Sequence, residues 1–168
     1  MEIERKFKVK ELPDLTERDC VLIEQAYIAV SPVIRIRKKE TVLADRSIGS
    51  AKYILTIKSG GMMAHEEYEL EMTAEEYETL TKKVEGNIIT KRRYLLPLDD
   101  GLTVELDIFE GAFDGLVIAE IEFPDEKTAE SYIPPEYFGE DVTFDGRYHN
   151  NKLSLMTSAE IRDLLGQQ

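Results

Sequence analysis

Pairs of like-charged residues two positions apart recur along this sequence. The chain begins with Glu2 and Glu4, and Lys6 follows at the same spacing. In a β-strand, residues two positions apart share a face of the sheet. Further acidic pairs are Glu67/Glu69, Glu105/Asp107 and Glu120/Glu122, and the basic positions are Arg35/Arg37, Lys58 and Lys91/Arg93. Hard divalent cations prefer carboxylates, and Arg and Lys bind phosphate, so the pattern indicates metal-assisted chemistry on a phosphate compound.

The strands that carry these pairs have one charged face and one apolar face. A sheet with one buried side and one solvated side would show the same alternation. Here, however, acidic and basic pairs fall on different strands, and paired like charges on one face repel each other. We therefore expect the sheet to close into a barrel with its charged faces inward. In that register Arg35, Arg37 and Arg93 face the interior, whereas Arg5 and Arg92 face outward.

The elements that position these residues are short strands. The period-two pattern repeats about eight times, with turn signals such as Ser31-Pro32 and Ser59-Gly60-Gly61 in between. Short helices are expected after N-caps at Thr73, Asp125 and Ser158. The polar stretch 44–52 is predicted to be a long hairpin connection. A chain of 168 residues suffices for one domain, which we place over residues 1–168.

Composition excludes several function classes. The net charge of −13 disfavours a nucleic-acid binder or a protein bound to an anionic membrane surface. A single cysteine, Cys20, allows no intramolecular disulfide, and with two histidines it cannot build a conventional zinc site. The sequence has neither a secretory leader nor an apolar run long enough to span a membrane, so we expect a cytoplasmic protein.

Several short motifs follow one another in a recognisable order over almost the whole chain. They are EIERK, QAYI, RIR, TIKSG, EEYELE, KRRY, VELDIFEG, AEIEFP and FDGRYHNNKLS. The ordered set resembles the CYTH superfamily, the triphosphate tunnel metalloenzymes, whose signature is ExExK near the N-terminus. The resemblance implies an α+β, mainly β fold: an eight-stranded antiparallel closed tunnel with flanking helices and a C-terminal helix.

The resemblance also implies roles for the charged residues, with one or two Mg²⁺ or Mn²⁺ ions as cofactor. The metal ligands would be Glu2, Glu4, Glu120 and Glu122, with Glu67, Glu69, Glu105 and Asp107 as second candidates. The phosphate-binding residues would be Lys6, Arg35, Arg37, Lys58, Lys91, Arg93 and Arg147. The catalytic set would be Glu2, Glu4, Lys6, Tyr27 and Arg93, with Tyr27 orienting a phosphate or the attacking water.

The family contains several activities that share one tunnel. Hydrolysis of inorganic tripolyphosphate to pyrophosphate and phosphate is the leading hypothesis, and the expected partner is a small triphosphate bound by a monomer or homodimer. A class IV adenylyl cyclase, a nucleoside or thiamine triphosphatase and a non-enzymatic polyphosphate binder are the alternatives. The chain has no Trp on which to stack thiamine. Tyr94 should point away from the interior because Arg93 points in, which leaves few contacts for an adenine.

Overall fold

The computed structural model describes residues 1–61 and 63–166 and is dominated by antiparallel β-structure. Its strands are β1 (Glu2–Val9), β2 (Cys20–Val30), β3 (Val33–Val42), β4 (Ile48–Lys58), β5 (Ala64–His65), β6 (Glu67–Met72), β7 (Glu85–Pro97), β8 (Thr103–Phe109), β9 (Val117–Glu122) and β10 (Phe138–Asp141). Its helices are α1 (Ala74–Thr81), α2 (Glu126–Ser131), α3 (Asn150–Leu153) and α4 (Ser158–Leu165), with 3-10 turns at Gly111–Phe113 and Gly146–Tyr148. No helix within these residues has the length and apolar character needed to cross a membrane.

Eight strands enclose a central lumen in the order β1-β9-β8-β7-β2-β3-β4-β6, with antiparallel pairing throughout. The start of β1 pairs with β5, where Glu2 lies opposite His65, and this pairing nearly closes the barrel next to β6. The predicted eight-stranded tunnel is confirmed. Two further strands, β5 and β10, have only two and four residues, too few for sequence alternation to reveal.

The apolar faces of the strands point away from the lumen, and the helices cover part of them, whereas Ile57, Tyr68 and Leu70 on β4 and β6 stay exposed. Ile3 and Phe7 of β1 pack in one cluster with Ala129 of α2. A second cluster joins Phe109 of β8 to residues of α3 and α4, and a third joins Ile36 of β3 to Tyr77 of α1. Burying such side chains contributes roughly 1.5–3 kcal/mol each, so this outer layer stabilises a barrel whose interior is charged. The flanking helices and the C-terminal helix α4 are thereby confirmed.

The helix starts follow the predicted capping residues with one exception. Thr73 caps α1 in a capping box with Glu76, and Asp125 caps α2 by accepting a hydrogen bond from the Thr128 backbone. The prediction that Ser158 caps the last helix is wrong by one residue. Thr157 is the N-cap of α4, because its hydroxyl accepts a hydrogen bond from the Glu160 backbone and its own backbone N–H donates to the Glu160 carboxylate. Ser158 is the first helical residue.

The hairpin between β3 and β4 differs from the expected long connection at 44–52. β4 begins at Ile48, so residues 48–52 are strand and the connection is short. Within it the Asp45 carboxylate accepts hydrogen bonds from the backbone and hydroxyl of Ser47, which tightens the turn. Residues 48–52 of β4 are exposed, so polar residues are tolerated in this strand and polarity alone did not distinguish strand from loop.

Candidate active site inside the barrel

The lumen is a cavity of about 430 Å³, and more than half of the residues that line it are charged. The expected residues in its wall are Glu2, Glu4, Lys6, Tyr27, Arg35, Arg37, Lys58, Glu67, Glu69, Lys91, Arg93, Glu105, Glu120 and Glu122. Arg5 and Arg92 lie outside it and bind Asp141 and Glu110, and Tyr94 belongs to the outer apolar cluster. The inward and outward faces therefore match the predicted register.

Carboxylates crowd one part of the lumen, which we call the carboxylate cluster: Glu2, Glu4, Glu67 and Glu122, with His65. Glu4 of β1 lies opposite Glu122 of β9 in the sheet. His65 Nε2 lies 2.8 Å from Glu2 Oε2 and 3.9 Å from Glu4 Oε1. Lys58 Nζ is 3.5 Å from Glu2, and Arg35 Nη2 is 3.3 Å from Glu67.

The pKa values in the carboxylate cluster reflect this crowding. The hydrogen bond from His65 lowers the pKa of Glu2. Burial, together with a hydrogen bond shared with Glu2, raises the pKa of Glu67 to about 8. Burial and the charges of Glu2 and Glu4 raise the pKa of Glu122. At neutral pH Glu67 therefore keeps a proton, because burial and the neighbouring carboxylates disfavour a full set of negative charges in this cluster.

The carboxylate cluster fits a divalent metal ion. Glu2, Glu4 and His65 each offer one ligand atom, and these three atoms lie within 4.8 Å of one another. Carboxylate oxygen suits both Mg²⁺ and Mn²⁺, whereas imidazole nitrogen is a better ligand for Mn²⁺ than for Mg²⁺. A bound cation would also offset the repulsion that raises the pKa of Glu67 and Glu122.

Ion pairs join acidic and basic side chains of nearby strands along the lumen wall. Lys6 Nζ lies 2.9 Å from Glu120 Oε1, at a position where both side chains are buried. Arg35 Nη2 lies 3.3 Å from Glu67 Oε1 on β6. These pairs keep the buried cations in place, and Lys6 and Arg35 remain in the wall where a phosphate would contact them.

Asp107 is an exception to the predicted metal-ligand set. It is 1% exposed and is absent from the lumen wall. Its carboxylate receives two hydrogen bonds from Arg93, at 2.7 and 2.8 Å, and lies 2.7 Å from Lys91 Nζ. Those two cations lower its pKa against the effect of burial. Asp107 therefore positions Lys91 and Arg93 rather than offering oxygens to a metal.

Arg147 is the second exception, since it lies outside the lumen wall. Asp145 caps the 3-10 turn at Gly146–Tyr148 and lies 2.6 Å from Arg147 Nη2. The guanidinium also stacks over the Tyr148 ring, with its central carbon 5.7 Å from the ring centroid. This local pairing holds Arg147 at the surface, so its predicted role as a phosphate ligand is not supported by its position.

Tyr27 lies in the lumen wall and is almost completely buried. Burial raises its pKa, so the phenol is neutral near neutral pH. Its hydroxyl accepts a hydrogen bond from Gln25 Nε2 at 3.3 Å. A neutral phenol can donate a hydrogen bond to a phosphate or a water but cannot serve as a general base at that pH.

The lumen wall also contains residues that were not assigned from the sequence. Lys39 continues the alternation of Arg35 and Arg37 on β3, so its signal was present. His149, Asn150 and Lys152 come from the irregular segment before and within α3, which has no strand period to reveal its direction. Asn150 Oδ1 accepts a hydrogen bond from Lys91 Nζ at 3.4 Å, which ties this segment to the phosphate-binding wall.

Comparisons with known proteins agree with this geometry. The CYTH domain family model matches residues 1–140. The inorganic triphosphatase of Nitrosomonas europaea is 38% identical over 157 residues, which cover 92% of this chain and 97% of the relative. The inorganic triphosphatase of Acetivibrio thermocellus is 35% identical over 154 residues, covering 90% and 92%. A crystal structure of an inorganic triphosphatase matches with a TM-score of 0.66 at 35% identity, covering 94% of this chain and 96% of the other.

Proposed function

This chain belongs to the CYTH domain family, and on that premise we propose that it is an inorganic triphosphatase. It hydrolyses tripolyphosphate to pyrophosphate and phosphate. The observation that carries this proposal is the lumen itself, in which carboxylates and basic side chains line one enclosed cavity. That combination suits a metal-bound polyphosphate and offers little to an uncharged ligand. The cytoplasmic location, the monomeric or dimeric state and the single-domain boundary stay predictions, and the boundary at residue 168 lies outside the described residues.

CYTH triphosphatases depend on a metal ion, and we propose Mg²⁺ or Mn²⁺ for this one. Glu2, Glu4 and Glu122 would hold the ion, with His65 or Glu67 completing the set. When bound, such an ion polarises phosphoryl oxygens and lowers the pKa of a coordinated water. Glu69, Glu105 and Glu120 already face Arg37, Arg93 and Lys6, so we assign them to balancing those cations.

The basic residues would hold and orient the polyphosphate chain. Lys6 and Arg35 stand next to the carboxylate cluster, so they would fix the reacting phosphoryl group beside the metal. Arg93 presents a guanidinium already oriented by Asp107, which reduces the entropy lost on binding. Tyr27 would donate a hydrogen bond that orients a phosphate oxygen or the attacking water. Phosphoryl transfer needs little beyond this positioning and charge stabilisation.

The lumen favours hydrolysis over cyclisation of ATP. Among its described wall residues Tyr27 is the only Phe, Tyr or Trp, and it is 2% exposed, so it offers no open face to a base. An adenylyl cyclase must orient the ribose 3′-hydroxyl against the α-phosphorus, which requires binding energy from the nucleoside. Tripolyphosphate should therefore have a higher kcat/KM than ATP, and ATP should yield little cyclic AMP.

The test is phosphate release from tripolyphosphate and from ATP with Mg²⁺, with Mn²⁺ and with a chelator, alongside detection of cyclic AMP. We expect release from tripolyphosphate that disappears with the chelator and returns with either metal. Cyclic AMP as the main product would assign a cyclase, and full activity in the chelator would contradict the metal role. Binding of tripolyphosphate without turnover would leave only a polyphosphate binder.

A further inference from the structure

Lys39 occupies a part of the lumen that lies away from the carboxylate cluster. Arg35, Arg37 and Lys39 alternate on the inner face of β3, and Arg35 binds Glu67 of that cluster. At a rise of roughly 3.3 Å per residue, Lys39 lies about 13 Å farther along the strand than Arg35. The same face continues to Thr41, which lines a second cavity together with Arg93.

Positive charge converges at this position in a group that we call the cationic cluster: Arg37, Lys39 and Arg93. Arg37 and Arg93 have acidic partners, with Arg37 Nη2 2.9 Å from Glu69 and Arg93 Nη1 2.7 Å from Glu105. The Lys39 side chain makes no hydrogen bond or ion pair with any residue that the structure describes, although its backbone belongs to the β3 ladder. Its burial and the charges of Arg37 and Arg93 lower its pKa to about 8.

The Arg37 guanidinium is buried beside Lys39. Arg37 is 5% exposed, and its Nη2 pairs with Glu69. Its buried Nε, like that of Arg35, finds no hydrogen-bond partner within residues 1–61 and 63–166, so this feature is common to the basic strand β3. An anion between Arg37 and Lys39 would relieve the repulsion among the three cations.

The second cavity beyond Arg93 is unsuited to a longer anion. Its rim carries the carboxylates of Glu17 and Asp19, with Arg18 between them in the sequence. Asp19 is fixed there because it accepts a hydrogen bond from the Ala44 backbone. A phosphate chain that extended past Arg93 would meet these acidic groups, so the phosphate at the cationic cluster is the end of the chain.

We propose that Lys39, with Arg37 and Arg93, forms a subsite for the terminal phosphate of the polyphosphate, at the far side of the lumen from the carboxylate cluster. The identity of the anion rests on the proposed triphosphatase function. Lys39 contacts the substrate in the ground state and in the transition state alike, because it lies away from the reacting phosphoryl group. Its loss therefore raises KM and leaves kcat within about twofold.

The direct test is calorimetric binding of tripolyphosphate in the presence of a chelator, so that no metal contributes. Lys39→Gln should raise the Kd about tenfold, the loss expected for one charge-assisted contact. Lys39→Arg should restore most of the affinity. The matched control is Lys38→Gln, which removes the same charge from the neighbouring residue of β3, whose side chain lies outside the lumen wall and pairs with Glu40. It should bind like the wild type.

The outcomes separate this subsite from the proposed function. Equal losses in Lys39→Gln and Lys38→Gln would indicate general electrostatic attraction and overturn the subsite, as would no loss in Lys39→Gln. Wild-type binding that depends on Lys39 but brings no turnover with metal would support the subsite and refute the triphosphatase. If the wild type did not bind tripolyphosphate in the chelator, the subsite would be overturned. Metal-dependent hydrolysis would not be affected by that result, because the phosphate-release assay tests it separately.

Discussion

The carboxylate cluster and the cationic cluster share one lumen but carry opposite uncompensated charges. In the carboxylate cluster, burial and neighbouring carboxylates raise the pKa of Glu67 and Glu122. In the cationic cluster, burial and neighbouring cations lower the pKa of Arg37 to about 10 and of Lys39 to about 8. In the Lys6–Glu120 pair, by contrast, the two opposite charges neutralise each other. Ligand sites in this barrel are thus located by charge that the protein leaves uncompensated, rather than by the number of charged residues.

The largest expected effect comes from removing single carboxylates of the carboxylate cluster. Glu4→Gln and Glu122→Gln should each lower kcat for tripolyphosphate by about two to three orders of magnitude, as losses of one preorganised electrostatic group do. The fold should persist, because each change relieves repulsion. Glu71→Gln on β6 is the matched control, since Glu71 is exposed and outside the lumen wall. If all three variants turned over like the wild type at limiting metal, the carboxylate cluster would not be the metal site.

A second prediction separates positioning carboxylates from ligand carboxylates. Asp107→Asn should lower the free energy of unfolding by about 3–5 kcal/mol, because it leaves Lys91 buried without its ion-pair partner and removes one of the two close carboxylates of Arg93. Glu105→Gln should lower it by no more than about 1 kcal/mol, because the Glu105 side chain is 40% exposed and Arg93 keeps Asp107. Urea unfolding of both variants measures the difference. Similar losses would show that Asp107 has no special structural role.

Within the strands, the period-two alternation of the sequence predicted which side chains face the lumen. Arg92 and Arg93 are adjacent and point to opposite faces, as the alternation requires. The role of Asp107 could not be predicted, because it depends on the β7–β8 register that places it opposite Arg93. Arg147 could not be placed either, since a carboxylate two residues earlier binds it in a turn.

The non-strand part of the lumen wall was the least predictable. His149 and Asn150 reach the lumen from a short helix and the turn before it, where no period links sequence to direction. His149 is held there by a 2.9 Å hydrogen bond between its Nε2 and the Thr143 carbonyl. That contact joins residues from an irregular segment, so it follows from tertiary packing rather than from any local pattern.

A smaller effect is expected from pH at the cationic cluster. The groups that act on Lys39 are Arg35 and Arg37 on β3, Arg93 on β7 and Glu69 on β6. Because the pKa of Lys39 is depressed to about 8, its charge and its contribution to anion binding are lost as pH rises through 8. Between pH 8 and 10.5, the ordinary pKa of a lysine, Lys39 binds fewer protons in the folded state than in the unfolded state. The free energy of unfolding therefore rises with pH over that range, as the cost of burying a charged Lys39 disappears.

The measurement is the Kd of tripolyphosphate in a chelator between pH 7 and pH 9.5. The wild type should lose affinity severalfold more than Lys39→Arg, whose guanidinium stays charged, and the difference between the two isolates Lys39 from other titrating groups. Parallel curves for the two proteins would show that Lys39 does not bind the anion.

The most direct test of the division between the two clusters is a paired binding measurement on Glu4→Gln and Lys39→Gln. Mn²⁺ affinity is measured by electron paramagnetic resonance without substrate, and tripolyphosphate affinity by calorimetry without metal. Glu4→Gln should weaken Mn²⁺ binding by at least tenfold and leave anion binding unchanged or tighter, because it removes a metal ligand and a negative charge. Lys39→Gln should do the reverse, weakening the anion and sparing Mn²⁺. Mn²⁺ binding that survives Glu4→Gln, or that is lost with Lys39→Gln, would contradict a lumen divided into a metal end and a phosphate end.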